Sequence, residues 1–401
     1  MRTAEQHLAR ALELVTPLPA QDVPLAEALG RVTSAPVLAR VAAPAFDNSA
    51  MDGYAVRAAD LAGAREDAPV TLTVTGRALA GHPSPVAVTP GTAVRIMTGA
   101  PVPPGADAVV AQEDVVAHEQ GEAQTPHLTA TFGAPVTPGR HIRREGEDIR
   151  PGDQVLPARV SLAARHVAAA AAAGIGRVEV IPRARVGYLV TGDELVEPGQ
   201  PLGPGQIHDS NATYLHAALT ALGAEPVALG RVGDSPDAVR AALLAARVHL
   251  LVTTGGASAG EHDPVKAGLP EVEFVTVAMQ PGKPQGLGRL DGTPLVCLPG
   301  NPVAVAVSVE AFVAPLVRAL QGMPEPTWEP ARAAVAWSCP PGREQFVPVV
   351  VGQDGVAPAT SGGSGSHLAA RLAVATALAR VPAAVDAVEP GDTVLVRRFT
   401  V

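Results

Sequence analysis

The chain has 401 residues, enough for two to four domains that each bury a core. Its net charge of −9 argues against a nucleic-acid groove, although not against a local basic pocket for a small anion. Its two cysteines, Cys297 and Cys339, lie far apart, so neither a zinc site nor a disulfide framework is indicated and a reducing, cytoplasmic setting is expected.

The opening MRTAEQHLARALEL is charged and amphipathic, without the apolar centre of a signal peptide. It predicts a helix over 3–16 with Leu8, Leu12 and Val15 on one face. A short helix ending at Gly30 and a strand follow, and we read both as scaffold. The next stretch with chemical interest is NSAMDGYAVR, from Asn48 to Arg57. Asp52-Gly53 there has the composition of a hairpin turn, which is the plain reading. Residues 68–132 alternate over short runs with Pro/Gly punctuation and predict a small all-β domain. Within it RIMTGAPVPP brings Thr98 and Gly99 to a turn. HIRREGED follows from His141 to Asp148, and a charge run of this kind usually forms a solvated face. An Ala-rich helix is expected over 161–174, capped by Gly174.

From Arg183 the pattern changes to strand–helix–strand alternation. Strands are expected at 186–190, 227–232, 248–252, 272–279 and 295–298. Helices are expected at 211–222, with Ser210 or Asn211 as cap, after Ser235-Pro236, and after Asn301-Pro302. This predicts a doubly wound, largely parallel sheet, whose ligands bind beyond the carboxyl ends of the strands. TGDEL, Gly233-Asp234, TTGGASAGEHD, MQPGKP and LPGNP all follow strands, so all five are expected on one rim. Beyond the stiff PEPTWEP at 324–330, three strands around a helix at 367–378 predict a small mixed or barrel-like β domain.

TTGGASAGEHD, Thr253 to Asp263, is built like an anion cradle, because glycines turn backbone N–H groups toward a ligand. Its Gly-Gly pair alone would read as an ordinary turn. The rim as a whole offers Glu194, Asp234, Glu261 and Asp263, which repel one another unless a cation sits among them. It also offers Lys283, held between prolines and suited to an oxyanion. No Ser-His-Asp or Cys nucleophile stands out. The residues thus point to a metal-assisted reaction of a phosphorylated or anionic substrate.

Taken together, NSAMDGYA, RIMTGAPVP, RREGEDI, TGDEL, TTGGASAGEHD, PGKP and LPGNP, in that order, resemble the MoeA family of molybdopterin molybdenumtransferases, related to the C-terminal part of gephyrin. The resemblance covers essentially the whole chain. It implies a linking domain at 1–44 plus 142–178, a small β domain at 45–141, an α/β molybdopterin-binding domain at 179–324 resembling the MogA type, and a C-terminal β domain at 325–401. It implies a magnesium-dependent cleavage of adenylylated molybdopterin followed by insertion of molybdate into the dithiolene. An upstream adenylyltransferase would supply that substrate, and neither nucleic acid nor membrane is expected as a partner. It also implies a homodimer with Asp52 and Thr98 supplied by the partner chain. Carried over by position, Glu194, Asp234 and Asp263 handle magnesium, and Thr254, Gly255 and Gly256 hold the pterin phosphate. Lys283, Arg343 and Ser366 form the molybdate pocket. Ser258, Gly282, Pro299, Asn301 and Pro302 complete the binding set, and Arg143 and Asp148 lie near the site. For Arg343 and Ser366 a loop charge and a helix cap are the competing readings.

Two positions depart from the family pattern. Gln280 stands where many members carry a lysine, and Ala304 where many carry a serine. Both losses fall near the expected oxyanion pocket, leaving open a molybdopterin-binding regulatory protein or a tungstate-specific homologue. A clustering scaffold would need an extra partner-binding segment. A fused adenylyltransferase would need a second doubly wound domain. The sequence offers neither.

Overall fold

The computed structural model describes residues 1–120, 127–233, 235–255, 263–360 and 369–399. Two separated stretches share the first core. Gln21–Pro24, Arg177–Ile181 and Val32–Thr33 form a three-stranded antiparallel sheet with Arg177–Ile181 in the middle. Val37–Leu38 pairs with Gln154–Leu156, and the helix Ala164–Ala172 closes over Val23, Leu156, Leu162 and Val178. Leu25–Glu27 is only a 3-10 turn, shorter than the helix expected up to Gly30.

The first helix is Ala4–Leu12, started by a capping box between Thr3 and Gln6. Its fully buried residues are Ala4, His7 and Ala11; of the expected stripe Leu8 and Val15 are half-buried against neighbouring cores, whereas Leu12 is exposed. This face docks on the α/β unit: His7 meets the edge of Phe312 with ring centroids 4.7 Å apart, and Ala4 packs with Val277 and Met279. The helix therefore sits with the α/β unit and apart from the core that residues 21–44 share.

Residues 53–132 form a six-stranded sheet in the order Ala108–Ala111, Gly53–Val56, Thr92–Ile96, Val70–Ala78, His127–Phe132, Val115–Gln120. Gly53 is not a hairpin residue. It opens the strand Gly53–Val56, and any Cβ there would run into the backbone carbonyl of Val110 on the neighbouring strand.

The α/β sheet has the order Glu225–Val232, Arg185–Thr191, Leu250–Thr254, Thr293–Leu298, Pro284–Leu290, Glu273–Thr276. The first four strands are parallel, and Pro284–Leu290 runs antiparallel to both its neighbours. The expected strand 272–279 is split. Glu273–Thr276 stays in this sheet, while Met279–Gln280 pairs with the start of Glu344–Gly352 in the C-terminal sheet. The helix Ser210–Ala221 is capped by Asp209, whose side chain accepts from the Ala212 N–H, and not by Ser210 or Asn211.

Helical structure runs unbroken from Pro302 to Leu320. These 19 residues hold an 18-residue window of mean hydropathy 1.9, long and apolar enough by composition to cross a membrane, yet 94% of that window is buried inside the protein. This is a core helix. A wide turn at Val309–Val313 precedes Pro315, whose missing N–H would interrupt an ordinary α ladder. Glu310, buried in this helix, lies 3.7 Å from the Arg397 guanidinium.

The C-terminal sheet runs Met279–Gln280, Glu344–Gly352, Ala377–Val381, Thr393–Arg398, Glu329–Arg332. Of the helix expected over 367–378, Ala369–Val374 is a 3-10 turn and Ala377–Val381 is a central strand. Alanine-rich composition favoured a helix, and pairing on both edges overrode it.

Candidate functional site

The four parallel strands end at Thr191, Val232, Thr254 and Leu298 on one edge of the sheet, where the segments beginning at Gly192, Gly233, Gly255 and Pro299 follow. The register Gly286↔Cys297 places Pro284 at that same edge, and with it the turn Pro281-Gly282-Lys283. The described residues that open or close each of the five expected segments therefore lie along one rim.

Glycine lets them approach. Gly255 has φ +85°, and a Cβ on it would lie 2.5 Å from the Thr191 carbonyl oxygen. A Cβ on Gly300 would lie 3.4 Å from Gly255 Cα, so the loops after Leu250–Thr254 and Thr293–Leu298 touch backbone to backbone. Any Cβ on Gly233 would strike the Asp193 carboxylate.

Beneath this contact lies a polar network that the sequence did not announce. Thr254 is wholly buried, and its hydroxyl donates to the Pro299 carbonyl at 3.0 Å. It accepts from Asn211 Nδ2 at 3.2 Å, and the same nitrogen donates to the Gly300 carbonyl at 2.8 Å. The Thr254 hydroxyl thus braces the cradle from inside. Asn301 is the residue before the core helix and Pro302 its first position, so the helix's positive end opens on the rim.

The carboxylates differ in setting. Glu194 is exposed. Asp263 is buried and caps the short helix Pro264–Gly268, its Oδ1 accepting from the Val265 and Lys266 N–H groups at 3.1 Å each. Asp234, Gly256, Ser258, Glu261 and Ser366 lie outside the described residues. Among the described residues no three His, Cys, Asp or Glu side chains gather closely enough to hold a metal. Burial pushes the Cys297 thiol up to about 12, helped by the nearby Asp263 charge, so it offers no nucleophile.

Lys283 is exposed at the tip of its turn. The turn is fixed by the Val277 N–H donating to the Lys283 carbonyl at 2.8 Å. Gln285, another residue missed from sequence, donates to the Gly282 carbonyl and to Ser308 Oγ, both at 2.8 Å. The pairing of Met279–Gln280 with Glu344–Gly352 brings Arg343 alongside, its Nη1 donating to Gln280 Oε1 at 3.4 Å. Gln280 therefore faces a cation already in place. Ala304 is buried in the first turn of the core helix.

The remaining candidates form a second group on the small β unit. Asp52 Oδ1 accepts from Thr98 Oγ1 at 2.7 Å and from the Thr98 N–H at 2.6 Å. These bonds, with a smaller contribution from Arg95, hold the Asp52 carboxyl below its usual range. Ile142–Arg143 pairs with Asn48–Ser49, and the Gly99 N–H donates to the Ser49 carbonyl at 2.8 Å. Three separate motifs thus close into one patch. Thr98, Arg143 and Asp148 are exposed, as are Phe46 and Met51 nearby. Among the described residues the hydrogen bonds of this patch stay within residues 43–149 and do not reach the rim.

Comparison with known proteins places this geometry. Family models match in chain order: MoeA N-terminal region (domain I and II) over residues 2–174, probable molybdopterin binding domain over 187–319, and MoeA C-terminal region (domain IV) over 330–399. Molybdopterin molybdenumtransferase 2 of Mycobacterium tuberculosis is 40% identical over 414 residues, covering 100% of both chains. Molybdopterin molybdenumtransferase of Haemophilus influenzae is 39% identical, covering 84% of this chain and 82% of that one. The crystal structure of a molybdopterin biosynthesis MoeA protein from Pyrococcus horikoshii superposes with a TM-score of 0.82 at 30% identity, covering 99% of this chain and 98% of that one. With three family models matched in order along the chain and a relative 40% identical from end to end, the chain belongs to the MoeA family, the molybdopterin molybdenumtransferases, enzymes of molybdenum-cofactor biosynthesis.

Proposed function

We propose that this enzyme carries out the last step of cofactor assembly: hydrolysis of adenylylated molybdopterin, releasing AMP, and insertion of molybdate at the dithiolene, where two Mo–S bonds form as one molybdate oxygen takes two protons and leaves as water. The observation that carries the reading is the convergence of strand ends on one rim, with the Gly255–Gly300 contact as a cradle for phosphate, and with Lys283 and the Gln280-bonded Arg343 as cations for an oxyanion. In the hydrolysis, water attacks the pterin-side phosphorus, a new P–O bond forms as the bridging P–O bond breaks, AMP leaves with the bridging oxygen, and the proton lost by water passes to solvent. Backbone N–H groups of the cradle hold the pterin phosphate while this occurs.

Magnesium suits the donor set. Glu194 and Asp263 offer hard oxygen ligands, and magnesium commonly takes one or two carboxylates together with substrate phosphate oxygens. The ion would belong to the substrate complex, where it offsets phosphate charge. The exposed Asp52–Thr98 patch, which among the described residues has no hydrogen bond to the rim, supports a homodimer in which it completes the partner's site. An upstream adenylyltransferase would supply the substrate.

The test is AMP release from adenylylated molybdopterin with magnesium, with and without molybdate or tungstate. Release that depends on one oxyanion is expected and names the metal. Tight binding without release would turn the reading toward a regulatory binding protein. Mixed dimers carrying Thr98→Trp on one chain and Asp263→Asn on the other should retain one working site. Complete inactivity of such dimers would count against a site shared between chains.

A further inference from the structure

We propose that Asn211, which touches no substrate, is a positioning residue that sets the spacing and direction of the phosphate cradle. The inference rests on the reading of the rim just given and assigns a determinant of substrate binding to a side chain that cofactor-family motifs did not single out.

Three observations carry it. Asn211 is 7% exposed at the start of the helix Ser210–Ala221, so it is held by an element outside both cradle loops. Its single amide nitrogen has two hydrogens and two acceptors, Thr254 Oγ1 at 3.2 Å and the Gly300 carbonyl at 2.8 Å. Thr254 then passes its own hydrogen to the Pro299 carbonyl at 3.0 Å. The Asn211 amide and the Thr254 hydroxyl it engages therefore tie the end of the strand Leu250–Thr254 to two consecutive carbonyls of the neighbouring loop, one donor to each.

The direction follows from peptide geometry. In a trans peptide the carbonyl and the N–H of the same unit point opposite ways. With the Pro299 and Gly300 carbonyls drawn inward to Thr254 and Asn211, the N–H groups of Gly300 and Asn301 are turned away from the buried pair, at the positive end of the core helix. Successive N–H groups turned one way form a nest for an anion. Rotation of either peptide would cost a buried hydrogen bond, and Gly255 packed 3.4 Å from the position of a Gly300 Cβ leaves little room for the loops to drift.

The experiment compares wild type, Asn211→Ala and Thr254→Val, each assayed for AMP release across a range of adenylylated molybdopterin concentrations, with thermal melting alongside. For Asn211→Ala we expect KM to rise about tenfold or more while kcat stays within about threefold, because binding is lost and the chemical groups remain. Thr254→Val should show the same split. The double variant should be little worse than either single one, because both act through one network. A lowered melting temperature with an unchanged KM would mean that Asn211 only holds the fold together, and would overturn the inference. KM within about twofold of wild type in Asn211→Ala would also overturn it and leave the hydrolase reading standing. A wild-type enzyme that neither binds nor cleaves the substrate would remove that reading, and this inference with it.

Discussion

The rim of the α/β unit and the Asp52–Thr98 patch of the small β unit carry similar side chains in opposite settings. At the rim the key threonine is wholly buried, and its hydroxyl is engaged on both sides by Asn211 and Pro299. In the patch the key threonine is exposed and, among the described residues, hydrogen-bonded through its side chain to the neighbouring Asp52 alone. The difference teaches where function is separable from folding. Buried polar groups shape backbone, so changing them disturbs structure and activity together. Exposed ones change recognition and leave the fold alone.

The comparison breaks hardest at Gly255. Gly255→Val forces a β-branched residue to φ +85° and sets its Cβ 2.5 Å from the Thr191 carbonyl. A loss of about 3 kcal/mol or more in urea unfolding is expected, from left-handed strain and steric displacement combined. An unfolding midpoint near that of wild type would mean that the rim loops separate freely.

Acid sharpens it next, through two groups that both prefer to lose their protons on folding. His7 is pushed down to about 4 by burial and by Arg2, and among the described residues neither of its ring nitrogens has a hydrogen-bond partner. Its contribution to stability is fully present above the unfolded value near 6.5 and is lost as pH falls toward 4. The most it can remove is about 3 kcal/mol. Asp52 is also held below its usual range, but its stabilisation is lost only below the ordinary carboxylate value of 3.8. Unfolding followed from pH 7 to 4.5 should therefore weaken in wild type and much less in His7→Phe, whereas Asp52→Asn should keep the wild-type slope.

The smallest effect on stability belongs to the patch. Asp52→Asn should leave the melting temperature unchanged within error while lowering AMP release at least about tenfold, as expected of a group that acts only at an interface with substrate or partner. A large drop in melting temperature would move Asp52 to the structural side of the comparison.

The rim was legible in the sequence because each of its segments pairs an apolar strand with a glycine or proline turn, and both signals are local. Thr254, Gly255, Lys283 and Asn301 were found in this way. Asn211 was not, because an asparagine beside a helix start reads as a cap. Only the packed structure shows Asp209 capping and Asn211 reaching across to the end of one strand and the loop beside it. Gln285 was hidden for a similar reason: the strand Pro284–Leu290 opens with proline and carries two glycines, so no alternation betrayed it. Arg343 was found by family pattern alone, since nothing in PGREQF reports that its strand pairs with Met279–Gln280. The helix misread at 367–378 shows the converse, in which composition spoke clearly and strand pairing decided otherwise.

Met279–Gln280 leaves one sheet and joins another within a few residues of Lys283. The C-terminal unit is therefore not an appendage that follows the α/β unit in the chain, but is stitched into it from the middle. A chain truncated near 324 would lose more than its last strands. It would strip the partner from Met279–Gln280, remove the guanidinium that Gln280 faces, and leave the lysine turn anchored on one side only.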